Sequence, residues 1–406
     1  MIRHHYWLAT ILILLHSTAL VGQNISRKAL EEVRAKVHTQ IENGNVAGAA
    51  HIVVHQGQVV YFEVAGVSDI EDKTPLEPNT IMRVYSMSKP ITSVAAMTLY
   101  EQGKFQLDDP VAKFIAAFSK TTVFDADTEK IVSANRPITI RDVFRHTTGY
   151  SYGRGGHPKI REHYKKEGMQ YHPPHGMMPP KMTIADAAEA LARIPAYHHP
   201  GERFTYGYNI DLLGRLIEVW SGQTLDAYLQ QSILKPLGMN DTGFSVPAAK
   251  RDRFASCHSL EDGKLVVADK AIDSPFCEGF EFLSGGGGLV STMQDYATFC
   301  QMLANRGVFQ GNRLLKESTV QLIFTNQLAT VPGDLKFGLG FAIAEVTLGS
   351  GDTVRKATQY SWGGYASTDF RIVPEAGLVQ VFMRQLVPSS HALADELFPI
   401  VYAGVK

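Results

Sequence analysis

Apolar residues recur with two different periods along this 406-residue chain, and the period switches as the chain advances. Leu30, Val33, Val37 and Ile41 fall at helical spacing, so residues from Ser26 to about Gln40 are predicted to form a helix with Ser26 as its cap. β-branched runs follow at Ala49–His55 and Val59–Val64, and Gln56-Gly57-Gln58 between them predicts a hairpin turn. A helix is expected after Ser86, where Val94, Met97 and Leu99 share a face and Ala95 and Ala96 favour helix. Pro90 fits only in the first turn of that helix, where an amide donor is not missed. Leu107–Val111 reads as a turn opening a short helix. Ile138–Thr147, Ile184–Ile194 and Asn209–Ser221 read as further helices, with Gly153–Pro180 an irregular segment between them. Helical spacing returns from Met293 to about Asn305 and from His391 to Val401. Strand-like runs lie at Leu339–Val346, Arg371–Val373 and Leu378–Met383. The pattern predicts an α+β fold whose sheet is built from both ends of the chain, residues 23–80 and 284–406, around a mainly helical region, 81–283.

Composition narrows the function class. A net charge of -1 gives no electrostatic footprint for nucleic acid or an anionic membrane. Arg3, the apolar run Trp7–Leu15 and the small residues Ser17, Thr18, Ala19 and Gly22 have the order of a secretory signal over residues 1–22. The expectation is an exported protein with no membrane span after signal removal, a retained N-terminal anchor being the alternative. Cys257, Cys277 and Cys300 do not make a disulfide framework; they are read as buried thiols, with Cys257–Cys277 the alternative pair.

Ser86-Met87-Ser88-Lys89 carries the chemistry. A serine hydroxyl needs a base within hydrogen-bond reach, and a lysine three residues on lies one helical turn away on the same face. A helix N-terminus beside the pair favours a nearby oxyanion. Ser284-Gly285-Gly286-Gly287-Gly288-Leu289 permits close backbone approach or strained angles, but no Gly-Lys-Ser/Thr ending makes it a phosphate loop. Gly149-Tyr150-Ser151-Tyr152-Gly153 matches a nucleophile elbow in letters only: that motif needs a buried strand before it and a helix after it, and neither flank fits. The histidines at 157, 163, 172, 175, 198 and 199 lie in loop-like stretches without metal-ligand spacing, so no metal is predicted.

Taken with Pro200–Tyr208, Lys235–Phe244, Ser284–Leu289 and Ser361–Thr368, the Tyr85–Lys89 motif resembles the serine β-lactamase and penicillin-binding-protein superfamily. It stands on the side of the class C β-lactamases and family VIII carboxylesterases, over nearly all of the chain beyond residue 22. The resemblance implies a β-lactamase/transpeptidase-like fold, an antiparallel sheet flanked by helices. It implies Ser86 as nucleophile and Lys89 with Tyr206 as general base, needing no cofactor. By the same resemblance Trp362, Gly363 and Gly364 form a substrate-binding edge strand, the amides of Ser86 and Tyr365 an oxyanion hole, and Tyr208 the third place of a Tyr-x-Asn motif.

Two departures shape the expected substrate. Trp362 stands where β-lactamases carry a lysine, and Asn209 comes one residue late for Tyr-x-Asn. Both remove polar groups that would meet a substrate carboxylate, which favours a neutral, partly apolar ester over a β-lactam-like molecule. A β-lactamase or D-Ala-D-Ala carboxypeptidase is the alternative, and a non-hydrolytic penicillin-binding sensor a second.

Overall fold

The computed structural model describes residues 25–169 and 182–406; the predicted signal segment, His172 and His175 lie outside them. Eight strands make the main sheet: β1 (Gly48–His55), β2 (Gln58–Asp69), β3 (Thr74–Pro75), β4 (Lys336–Phe337), β5 (Ala342–Leu348), β6 (Arg355–Gly364), β7 (Thr368–Val373) and β8 (Leu378–Arg384). Their order is β4-β5-β6-β7-β8-β1-β2-β3, antiparallel throughout. The two ends of the chain meet where β8 pairs with β1, Ala49 opposite Arg384 and His55 opposite Leu378.

Every residue of β1 is buried, because both faces of the sheet are covered. Ala49 and Val53 point into a layer containing Val33, Val37, Leu397 and Val401 from the first and last helices, α1 (Arg27–Glu42) and the C-terminal Ala392–Ala403. Ala50, Ile52 and Val54, on the opposite pleat, join the larger core that runs into the helical region. His51 shares the first face with Tyr61, Phe382 and Phe398, and burial pushes its imidazole down to about 3, so it is a neutral core residue.

The second core is built around α2 (Ser88–Glu101). All residues from Ser88 to Met97 are buried, so this helix has no solvent face before its last turn. Ala95, Ala96 and Ser93 suit that position, because close packing on every side leaves no room for larger groups. Against it lies α3 (Asn209–Ser221), which ends at Gly222 with φ 71°. Among the described residues, no helix is long and apolar enough to cross a membrane.

Several expectations are corrected. Gly153–Pro180 contains a helix, Pro158–Lys166, started by Pro158 and by the His157 ring accepting from the Lys159 amide. Only Ile160 and Tyr164 anchor it, too few apolar residues for a visible period. The helix within Ile138–Thr147 is only Ile140–Phe144, and His146 leaves it with φ 57°. The α-helix after Ser86 starts at Ser88, while Ser86 itself sits in a 3-10 turn, Tyr85–Met87. The cysteine expectation needs no correction: all three are buried and free, and the alternative Cys257–Cys277 pair is not formed.

Asp142 ties the short helix to the loop leading into the site. It is fully buried and accepts from Arg136, Arg145, Thr139 and Thr147. The same loop is held by the Thr205 amide on the His146 carbonyl (2.7 Å) and the Gly201 amide on the Thr147 carbonyl (2.8 Å). Burial alone would raise the Asp142 carboxyl, but Arg136 and the donated hydrogen bonds outweigh it and hold the group down at about 2. A folded-state value below the unfolded one means stability that is present above about pH 4 and lost as pH falls towards 2. Asp142→Ala leaves the partly buried Arg145 without its carboxylate and the donors of Thr139 and Thr147 without their acceptor, and is expected to cost about 3 kcal/mol in denaturant unfolding at pH 7. The difference from wild type should shrink in that acid window, and an unchanged midpoint at pH 7 would contradict this account.

Candidate active site

The turn bearing Ser86 is fixed from behind before it is offered to the cleft. Met82–Arg83 pairs with Val290–Ser291, and the buried Arg83 guanidinium meets Asp269 at 2.8 Å and lies over the Phe254 ring. Tyr85 takes φ 40°, the left-handed region that a non-glycine residue enters only when its surroundings hold it there. Its ring is held edge-on between Phe276 and Tyr365. This bend turns Ser86 towards the cleft while Lys89 enters the first turn of α2.

Lys89 Nζ donates to Ser86 Oγ at 3.3 Å and to the Gly286 carbonyl at 2.6 Å. Both side chains are buried, Ser86 retaining 7% exposure and Lys89 1%. Glycines 285, 286 and 288 serve close approach: a Cβ on each would meet Ile210 or Thr92, Asp211, and Phe244 respectively. None of the three has a positive φ, so of the two uses expected for this segment the structure takes the first.

Tyr206 lies three residues before α3, held there by the 146–205 contacts and by His198, which bonds Thr205 Oγ1 at 2.7 Å. Lys89 Nζ sits 4.5 Å from the Tyr206 ring centroid, over its face, while Trp362 Nε1 donates to the Tyr206 hydroxyl at 3.4 Å. Tyr152 packs edge-on against Tyr206 on one side and His146 packs against it at 5.0 Å. Burial, helped by Lys89, drives the His146 imidazole well below its usual range, so it is neutral. Tyr208 is fully buried instead of lining the cleft: its ring meets Tyr152 and its hydroxyl donates to the Met169 carbonyl at 3.4 Å. Asn209 is inside the fold as well, accepting from Thr148 and donating to the Tyr150 carbonyl.

The strand expected at an edge is interior, yet its end is open. Pairing of β6 with β5 stops at Ser361–Ala342, whereas pairing with β7 continues to Gly364–Thr368, leaving Trp362, Gly363 and Gly364 with one side beyond β5. These residues line a cleft of about 840 Å³ together with Ser86, Tyr206 and Tyr365. Tyr85, Tyr152 and Tyr197 complete its aromatic lining; Arg154 and Asp395 also line it, as does the buried Asp369, which pairs with His391 at 2.9 Å and with Arg371. The Asp369 carboxylate holds the His391 imidazole above its usual range. A Cβ on Gly364 would collide with the Val84 carbonyl, and the glycine thereby lets Tyr365 approach the Ser86 turn. Ser151 also lines the cleft, but its Oγ accepts from the Gly153 amide, and the lysine amine is at Ser86. Among the described residues, no group of three or more His, Cys, Asp or Glu side chains could hold a metal ion.

Residues 33–398 match the family model described as Beta-lactamase. The chain belongs to that family. Family members similar to it include Esterase EstB of Burkholderia gladioli, 26% identical over 79% of this chain and 81% of that protein. Monacolin J acid methylbutanoyltransferase of Aspergillus terreus is 28% identical over 80% and 81%. The solved structure of EstCE1, described as a hydrolase with promiscuous acyltransferase activity, superposes with a TM-score of 0.77 at 23% identity, covering 93% of this chain and 99% of its own. The sheet and helix layers of this β-lactamase-family chain are thus the β-lactamase/transpeptidase-like fold, in a family with esterase and acyltransferase members.

Sequence reasoning missed Asp211, His146 and Tyr152. An acid in the first turn of a helix is ordinary, and a histidine at a helix end equally so; only the packing distinguishes them. Gly364→Ala is expected to lower kcat/KM for an activated ester about 100-fold in a folded protein. Gly243→Ala, outside the cleft and with nothing nearer than 3.7 Å to an added Cβ, should remain near wild type in the same assay. Gly364→Ala activity within about twofold of wild type would contradict the close-approach argument.

Proposed function

We propose that the protein is an exported serine hydrolase that cleaves neutral, partly apolar esters through an acyl-enzyme on Ser86. The observation that carries this reading is the Lys89 amine on the Ser86 hydroxyl, at the floor of an aromatic cleft. Lys89 in its amine form takes the Oγ proton as Ser86 Oγ bonds to the ester carbonyl carbon. The carbonyl electron pair moves onto oxygen, which the amides of Ser86 and Tyr365 would receive, one such donor being worth about 3 kcal/mol. Collapse breaks the ester C–O bond, and the leaving alkoxide recovers a proton from the Lys89–Tyr206 pair. Water then attacks the acyl-enzyme with the same pair acting in reverse. An alcohol in place of water gives acyl transfer, in keeping with the hydrolase and transferase names among the relatives. Export rests on the residue order of the first 22 positions.

Trp362 supports esters over β-lactams: its indole, packed against Tyr206 and Phe337, puts an apolar side chain at its place in the cleft lining instead of a lysine. A p-nitrophenyl ester series and nitrocefin, assayed for wild type and Ser86→Ala, separate the readings. The expected result is ester turnover that falls at least about 1,000-fold in the variant, with slow nitrocefin cleavage in both. Full esterase activity in Ser86→Ala would overturn the mechanism; nitrocefin turnover matching the best ester would make the protein a β-lactamase.

A further inference from the structure

The buried carboxylate of Asp211 has no place in the reaction just described, yet it reaches the reacting serine through three consecutive contacts. Asp211, in the first turn of α3, is 4% exposed. Its Oδ1 accepts from Ser284 Oγ at 2.5 Å and from the Gly286 amide at 3.0 Å. The carbonyl of that same Gly286 accepts from Lys89 Nζ at 2.6 Å, and Lys89 reaches Ser86 at 3.3 Å. A Cβ on Gly286 would stand 2.6 Å from Asp211 Oδ2, so the loop lies directly on the carboxylate with no side chain between them. On its other side the loop is held by Thr92 Oγ1, which donates to the Gly285 carbonyl at 2.8 Å. Oδ2 is buried with no hydrogen-bond partner, an arrangement that costs stability and that packing alone would not require.

We propose that Asp211 is a positioning residue for this active site: by clamping the Ser284–Gly286 loop it places the Gly286 carbonyl that aims the Lys89 amine at Ser86. The inference deepens the Ser86–Lys89 reading and depends on it. A peptide carbonyl is a directional acceptor, and a lysine stem is flexible, so the carbonyl decides where the amine stands. A carboxyl oxygen on the Gly286 amide polarises the peptide unit that ends in the Gly285 carbonyl and so strengthens its bond from Thr92, while the Gly286 carbonyl in the next peptide unit is fixed by the position of the loop. The clamp acts on the proton-transfer step and leaves the aromatic cleft walls alone, so it should govern kcat and spare KM.

The test compares Asp211→Leu, Asp211→Asn and Ser284→Ala with wild type in steady-state ester hydrolysis, each variant checked by near-UV circular dichroism. Asp211→Leu removes both acceptors, and kcat is expected to fall about 100-fold with KM within about threefold. Asp211→Asn keeps a carbonyl oxygen for the two donors and should recover to within about tenfold of wild type. A folded Asp211→Leu with kcat within about threefold of wild type overturns the proposal, as does an equal loss in Asp211→Asn and Asp211→Leu. If Asp211→Leu does not fold, the double variant Asp211→Asn/Ser284→Ala decides: kcat about tenfold below Asp211→Asn at unchanged KM supports the clamp, and equality with it sinks the clamp. Loss of the Ser86 reading shows itself separately, as undiminished turnover in Ser86→Ala.

Discussion

One amine shared between a hydroxyl and a carbonyl organises this molecule. Lys89 is almost wholly buried, and its polar contacts are Ser86 Oγ and the Gly286 oxygen, with aromatic faces around the rest. Burying a lysine that reaches a serine requires polar partners from elements far apart in sequence. The serine side comes from the turn after Arg83, and the carbonyl side from a glycine-rich loop about two hundred residues later, brought there by α2, α3 and the pairing of Met82–Arg83 with Val290–Ser291. The rest of the architecture can be read as the means of keeping those two approaches within hydrogen-bond distance.

Rigid layers do that work. The fully buried β1 sits at the seam between the two chain ends, and α2 is enclosed on all sides before its last turn, so neither can shift without opening a core. The site carries part of the molecule's strain: Tyr85 and His146 are among the non-glycine residues that hold positive φ, and the polar atoms of His146 and Asp211 are buried without full partners. The surrounding packing supports these costs. The open end of β6, by contrast, gives one free backbone edge next to the serine, suited to a substrate lying along it.

Much of this was legible in the sequence, and what was not has a physical reason. The Ser86–Lys89 pair could be read because an i, i+3 spacing forces two side chains onto one helix face whatever the tertiary context. Asn209–Ser221 was recognisable to the residue, since its apolar face is continuous and Gly222 ends it. The two-ended sheet followed from where β-branched runs occur. Strand β6 beyond its Trp-Gly-Gly end was not visible, because Arg355–Tyr360 is polar, one face of it remaining at the surface. Tyr208 was placed by motif position, but that position turns into the core once Tyr206 faces the cleft. Asp211 was invisible because its role lies in a contact with a backbone amide seventy-five residues away.

The central claim is that Ser86 alone forms the covalent intermediate. The most direct measurement is intact mass spectrometry of the wild-type protein, acid-quenched during turnover of a slow p-nitrophenyl ester, followed by peptide mapping. The account predicts one acyl group per chain, located on the peptide containing Tyr85-Ser86-Met87-Ser88-Lys89 at Ser86. An acyl group on Ser151, or turnover with no adduct under conditions where deacylation is rate-limiting, would contradict it.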